Sequence, residues 1–225
     1  MSRDDESREA ETYLLSRGIS LETIKSSLVG YAPNQWSALH DFLAAKKAPL
    51  ELAEKLGLIK RKSNETTVKP ADSNYRIHYD LFRGRIMFPV LDTRGRVVGF
   101  GGRRLDNKDG SPREEGPKYL NSSESVLFKK GTLFFGMYEA QKEIRAENQV
   151  LIVEGFMDCL SLKQAGLTNV VATLGTSLSQ VQAETLGRLA ADIVVIYDSD
   201  RAGRDAQFKA MNLFLELGIT IRGVQ

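Results

Sequence analysis

The sequence predicts an α/β fold: a doubly wound parallel sheet over residues 148–225, preceded by a helical and then a mixed α+β region with a basic surface. Three observations predict it. Val150-Leu-Ile-Val153 and Ile193-Val-Val-Ile196 are short, apolar, mostly β-branched runs, the pattern of strands covered on both faces, which favours parallel pairing. Helix-length segments separate such runs, so strand and helix alternate from Asn148 onward. Both runs end on acids, Glu154 after the first and Asp198-Ser-Asp200 after the second.

Those acids carry the chemistry. In an open parallel sheet, ligands bind outside the carboxyl ends of the strands, where loops and helix N-termini converge. Gly155 permits a tight turn directly after Glu154. Asp158 falls in the first turn of the next helix, where it either faces the same crevice or favours the helix N-terminus electrostatically. Asp198 and Asp200, one residue apart at a strand end, aim at one point, and a divalent cation relieves the repulsion between them. Hard Mg²⁺ or Mn²⁺ takes a few carboxylates plus water and phosphate oxygens, which makes Glu154, Asp198 and Asp200 a candidate metal site.

Composition excludes several classes. Charged residues at 27% and hydrophobic ones at 42% are ordinary for a globular protein of 225 residues, long enough for one large or two small domains. No apolar run approaches the roughly 18 residues of a membrane span, and the polar start Met1-Ser-Arg-Asp-Asp-Glu does not resemble a signal peptide, so a cytoplasmic location is expected. The single cysteine, Cys159, excludes an internal disulfide and a cysteine-rich zinc site. At a helix start it is either a reactive thiol or, as expected here, a plain packed side chain. The net charge of +2 hides an asymmetry: between Arg76 and Lys130 twelve cations face seven anions, a net +5. A basic face beside a carboxylate cluster suggests a polyanion laid across a metal site.

Residues 1–74 are expected to be a helical part with a loop, 75–147 a basic mixed α+β subdomain and 148–225 the parallel sheet. Glu9 to Leu15 has helical spacing and stops near Gly18, Ser20 caps the next helix, and Trp36 to Leu43 and Leu50 to Leu58 give two more. The Trp36 and Phe42 stripe is expected to be core, the alternative being a stacking platform. Lys60 to Asn74 is polar and unpatterned, an exposed loop. Arg85 to Leu91 and Arg96 to Leu105 form a hairpin, in which Gly99, Gly101 and Gly102 signal a bulge or a close approach by something else. Asn107 to Gly116 is a surface loop, Lys118 to Asn121 a short segment, Thr132 to Gly136 a strand or turn and Tyr138 to Arg145 a helix. Past Asp158, strands at Val170 to Leu174 and from Ile219 complete the alternation, with right-handed crossovers.

The segments Glu154-Gly-Phe-Met-Asp158, Ala172-Thr-Leu-Gly-Thr176 and Asp198-Ser-Asp-Arg-Ala-Gly203 resemble the TOPRIM domain of primases, topoisomerases and some nucleases. Arg83-Gly-Arg-Ile-Met-Phe-Pro89, Gly99-Phe-Gly-Gly-Arg-Arg104, Pro117-Lys-Tyr-Leu-Asn-Ser122 and Leu127-Phe-Lys-Lys-Gly131 are similar to the catalytic core of the bacterial replicative DNA primase (DnaG type). Nearly the whole chain is covered by this likeness, with the motifs in order. It implies synthesis of short RNA primers on a single-stranded DNA template from ribonucleoside triphosphates, with Mg²⁺ or Mn²⁺, two or more ions in the complete domain. It assigns Glu154, Asp198 and Asp200 as catalytic, with Asp158 a further ligand or one that orients a ligand, and leaves Glu154 either a metal ligand or the general base. Lys118, Asn121 and Lys130 would grip the nucleotide or primer terminus, and Arg83, Arg85, Arg103 and Arg104 would track template phosphates.

Two departures from that family are expected to matter: the zinc module that precedes this core has no cysteines here, and a further acidic motif would follow Gln225. The TOPRIM part therefore reads as C-terminally truncated, with weak or no synthesis by the chain alone and a replicative helicase reached through a separate C-terminal domain. A TOPRIM nuclease, or a non-catalytic nucleic-acid-binding module, is the alternative.

Overall fold

The computed structural model describes residues 5–61, 78–107, 111 and 116–224. Most of the loop expected after Lys60, and the centre of the one expected from Asn107 to Gly116, lie outside the described residues. The chain opens with α1 (Asp5–Ser16) and α2 (Leu21–Ser26), the latter capped as expected by the Ser20 hydroxyl, which accepts from the Thr23 amide at 3.1 Å. β1 (Gly30–Ala32) follows, then α3 (Ala38–Ala45), α4 (Leu50–Lys55), β2 (Ile59–Arg61) and β3 (His78–Asp80). Lys60 and Arg61, expected in a loop, instead pair antiparallel with Tyr79 and His78.

The hairpin is β4 (Arg85–Leu91) and β5 (Val97–Arg104), flanked by β1 on one side and β6 (Tyr119–Asn121) on the other, giving an antiparallel sheet in the order β1-β4-β5-β6. The register slips between Val90 and Leu91, which pair with Gly99 and Val97. β1 and β2 thus come from the first 74 residues but pair with strands from the following stretch, so a boundary at 74 divides the sequence and not the structure.

The second half is α5 (Met137–Glu147), β7 (Gln149–Val153), α6 (Phe156–Gln164), β8 (Val170–Ala172), α7 (Gln180–Leu189), β9 (Asp192–Ile196), α8 (Arg201–Glu216) and β10 (Ile221–Val224). Its strands are all parallel in the order β10-β9-β7-β8, the predicted doubly wound unit. Period-two alternation sorts β7 between two cores. Leu151 and Val153 face the antiparallel sheet with Ile86, Phe88 and Leu160, while Val150 and Ile152 face α5, α7 and α8 through Ile144, Leu186 and Phe214.

The two halves are joined at the hairpin glycines, and the reason is close approach. A Cβ on Gly99 would collide with the Phe128 ring, and one on Gly101 with the Phe156 ring. Phe156 stacks on Phe88 at 4.9 Å between centroids and meets Phe135 edge-on at 5.1 Å. At the far end of α6 the Gln164 side chain accepts from the Ser20 amide at 2.7 Å and donates to the Gly18 carbonyl at 2.8 Å, fastening the first helices to the parallel sheet.

One expectation fails outright: Trp36 and Phe42 are not core. They are 65% and 53% exposed, and α3 buries no residue fully. A short helix lying on the rim of a small sheet has no second layer to cover its outer face.

Gly101→Ala should be destabilised by about 1–3 kcal/mol through overpacking against Phe156. A urea midpoint equal to that of the parent would show that the ring can move aside at no cost.

Candidate metal and nucleic-acid site

β7 is the centre of the parallel sheet, and Glu154 leaves its carboxyl end between β8 and β9. Because Val153 pairs with Ile196, Glu154 and the segment after β9 come off the sheet side by side. The Asp198 amide donates to Glu154 Oε1 at 3.2 Å, and the Thr173 hydroxyl after β8 donates to the Glu154 carbonyl at 3.4 Å. Gly155 then turns the chain into α6, whose Asp158 Oδ2 accepts from the Gly155 amide at 3.1 Å. Asp200 caps α8, accepting from the Gly203 amide at 2.8 Å. Gly203 is required there, since a Cβ would strike the Asp198 carbonyl oxygen.

Burial pushes the Glu154 carboxyl above its ordinary pKa, and the charges of Asp198, Asp200 and Asp158 add to the rise. Burial likewise raises Asp158, with Asp198 adding to it. Hard oxygen donors crowded until their charge is disfavoured are the donor chemistry that suits Mg²⁺ or Mn²⁺. The side chains are not drawn together around one point, however. Among the described residues no group of three carboxylate, imidazole or thiol side chains stands close enough to hold a metal ion, and each of Glu154, Asp158 and Asp200 is turned onto a backbone amide.

Glu154, Asp158 and Asp198 form one wall of a cleft of ≈ 400 Å³. Its other wall comes from the antiparallel sheet and from α1 and its end: Arg103, Lys118, Tyr119, Asn121, Tyr13 and Arg17. The cleft therefore sets carboxylates against cations. Arg103 is held with its guanidinium 4.1 Å from the Tyr13 ring centroid. Asn121 donates to the Leu174 carbonyl, while its buried Oδ1 has no partner within the described residues. Tyr13 and Arg17 were missed in the sequence, where they are two residues of an amphipathic helix end with nothing to mark them.

Other expected contacts fall elsewhere. Arg85 is 3% exposed, and its guanidinium donates to the carbonyls of Gly102, Pro117 and Lys118, the last two at 3.0 and 3.4 Å. Arg104 bonds Asp106 at 3.1 Å and the Gly116 carbonyl at 2.6 Å. Both pin the segment before β6 to the hairpin, and for Arg85 this runs against the expectation that it tracks template phosphates, since an arginine buried among carbonyls cannot reach a solvated strand. Arg83 lies away from the cleft, against Trp36. Lys130 does not line the cleft; its backbone is held by Glu124 and Gln182 in the turn before α5. Cys159 is 1% exposed, and burial pushes its thiol up to about 12, so it is packing. No helix of the described residues is long and apolar enough to cross a membrane.

Comparison with known proteins adds the family context. A family profile described as "DNA primase catalytic core, N-terminal domain" matches residues 1–141, and one described as "Toprim-like" matches residues 151–225. The DNA primase of Clostridium acetobutylicum is 41% identical over 219 residues, which is 97% of this chain and 33% of that protein. The chain thus spans about a third of the length of the curated relatives it matches. Among solved structures, the zinc-binding and RNA polymerase domains of the Aquifex aeolicus primase superpose with a TM-score of 0.81 at 38% identity, covering 96% of this chain and 49% of that one. A DnaG primase catalytic domain bound to single-stranded DNA superposes with a TM-score of 0.81 at 35% identity, over 99% of this chain and 65% of that one.

Cys159 should resist Ellman's reagent at pH 8 in the folded protein and react fully once denaturant is added. Prompt stoichiometric reaction in the folded state would show the helix to open easily.

Proposed function

Because this chain belongs to the DNA primase family, carrying the N-terminal domain of the catalytic core followed by a Toprim-like domain, we propose that it supplies the catalytic cleft for joining ribonucleotides into short RNA primers on single-stranded DNA. The observation that carries this reading is the cleft with carboxylates on one wall and cations on the other, at the carboxyl edge of β7 and β9. A ribonucleoside triphosphate with a divalent ion has that same division of charge.

Glu154, Asp158, Asp198 and Asp200 would hold Mg²⁺ or Mn²⁺, which supplies activation of the attacking hydroxyl and neutralisation of the leaving pyrophosphate. Glu154, with its raised pKa, would serve either as a ligand or as the base that takes the proton of that hydroxyl. Lys118 and Arg17 face the acids across the cleft and would bind phosphate oxygens. Asn121, which lines the cleft, would meet a ribose hydroxyl. Arg103, 6% exposed, stacked on the Tyr13 ring and donating to the Arg104 carbonyl at 3.1 Å, would shape the cleft wall instead of holding a template phosphate.

The test is incubation with a single-stranded template, Mg²⁺ or Mn²⁺ and labelled ribonucleotides, alongside a Mn²⁺ titration. Template-dependent RNA is expected, even if slow, and should fall by about 10²-fold or more in Glu154→Gln and Asp198→Asn, since several kcal/mol of transition-state stabilisation are lost. Incorporation undiminished in both variants, or no Mn²⁺ binding at millimolar concentration, would remove the acids from the reaction. Fragments released from labelled DNA without ribonucleotides would make it a nuclease instead. Lys118→Gln should weaken Mg²⁺-dependent binding of a ribonucleoside triphosphate by about 10-fold, the worth of one charged hydrogen bond, and unchanged affinity would exclude the contact.

A further inference from the structure

Arg17, on the cationic wall of the cleft, lies just beyond Ser16, the last helical residue of α1. Apolar packing of Ala10, Leu14 and Ile19 into the first core fixes that helix as a body. It does not fix the exposed turn that follows, where helices ordinarily fray. Gly18 adopts a left-handed conformation there (φ 82°), so the chain leaves α1 at once and starts α2 after Ser20.

A single side chain holds this turn. Gln164 Oε1 accepts from the Ser20 amide at 2.7 Å and from the Thr23 hydroxyl at 2.9 Å, and its Nε2 donates to the Gly18 carbonyl at 2.8 Å. All three partners follow Arg17 closely in sequence. Gln164 is the last residue of α6, and Asp158, from the acidic wall, is in the first turn of the same helix. The helix between them spans about 9 Å at about 1.5 Å per residue. One rigid rod therefore carries an acid of one wall at its start and, at its end, the clamp on the turn that bears Arg17.

The clamp adds something that the core cannot. Leu14 and Leu160 already place α1 and α6 in one apolar cluster, but apolar contact is non-directional. Three hydrogen bonds from one side chain fix both direction and distance. We propose that Gln164 is a positioning residue for the cleft: by clamping the turn after α1 to the helix that carries Asp158, it sets Arg17 at the distance from the acids that suits the triphosphate of an incoming nucleotide. Gln164 does not itself line the cleft, so it acts through a residue that does. This rests on the reading of the cleft as a site for a ribonucleoside triphosphate with its divalent ion, and the experiment separates the two.

The intact chain and its variants are titrated with ATP in the presence and absence of Mg²⁺, and kcat and KM for ribonucleotide incorporation are measured alongside. Gln164→Met has a similar length without the polar atoms. It should weaken Mg²⁺-dependent ATP binding about 5- to 10-fold and raise KM by the same factor, with kcat within about twofold of the parent. Thr23→Val removes one of the three bonds and should weaken binding about 2- to 4-fold in a chain that unfolds at the parent's urea midpoint. Arg17→Gln should also weaken binding, and adding Gln164→Met to it should cost less than about twofold more, because the clamp acts through that side chain. A clamp that served stability alone would lower the urea midpoint and leave ATP affinity unchanged. Unchanged affinity in Gln164→Met or in Thr23→Val, or losses that multiply in the double variant, would overturn the positioning role and leave the cleft reading intact. No Mg²⁺-dependent ATP binding by the parent would overturn both.

Discussion

The structure depends on one packing arrangement, the Phe156 ring seated in the notch left by Gly101. Phe156 is 4% exposed and belongs to the same turn as Glu154, two residues away. Its stack on Phe88 and its edge contact with Phe135 join the antiparallel sheet to the parallel one. Aromatic rings close-packed in a core cannot slide without opening a void, so this contact sets the distance between the two sheets. The cleft is what remains of that distance at the sheet edge. Its acidic wall and its basic wall are held apart by a hydrophobic spacer.

Inside the cleft the electrostatics oppose stability. Glu154 and Asp158 are raised by burial and by neighbouring carboxylates, which means the folded state holds these charges at a disadvantage. Backbone amides at the starts of α6 and in the turn after β9 offset part of it. Such sites persist because the surrounding core over-determines them. Here that core includes the β7 residues immediately before Glu154, all buried.

The hairpin shows where sequence reading reached its limit. Gly99 and Gly101 were legible as places that something approaches, but which rings approach them was not, because Phe128 and Phe156 are remote in sequence. The arginines were harder still. Arg83, Arg85, Arg103 and Arg104 look alike as basic residues on two strands, yet the fold divides them. Arg85 and Arg104 bond carbonyls ahead of β6, Arg103 reaches the cleft, and Arg83 supports Trp36. Charge alone cannot tell a guanidinium that holds a loop from one that meets a ligand. The Trp36 and Phe42 stripe misled for a related reason: helical spacing marks an apolar face without saying whether anything covers it.

By itself the sequence determined the strand and helix alternation, the parallel sheet and the acids at its carboxyl edge, because these follow from local periodicity and from the chain reversing after each strand. Tertiary structure alone decided which cations face those acids, why Tyr13 and Arg17 belong beside Glu154, and that Trp36 stands in solvent. The physical reason is the same in each case. Those outcomes depend on how two sheets dock, a contact between distant segments that no local pattern encodes.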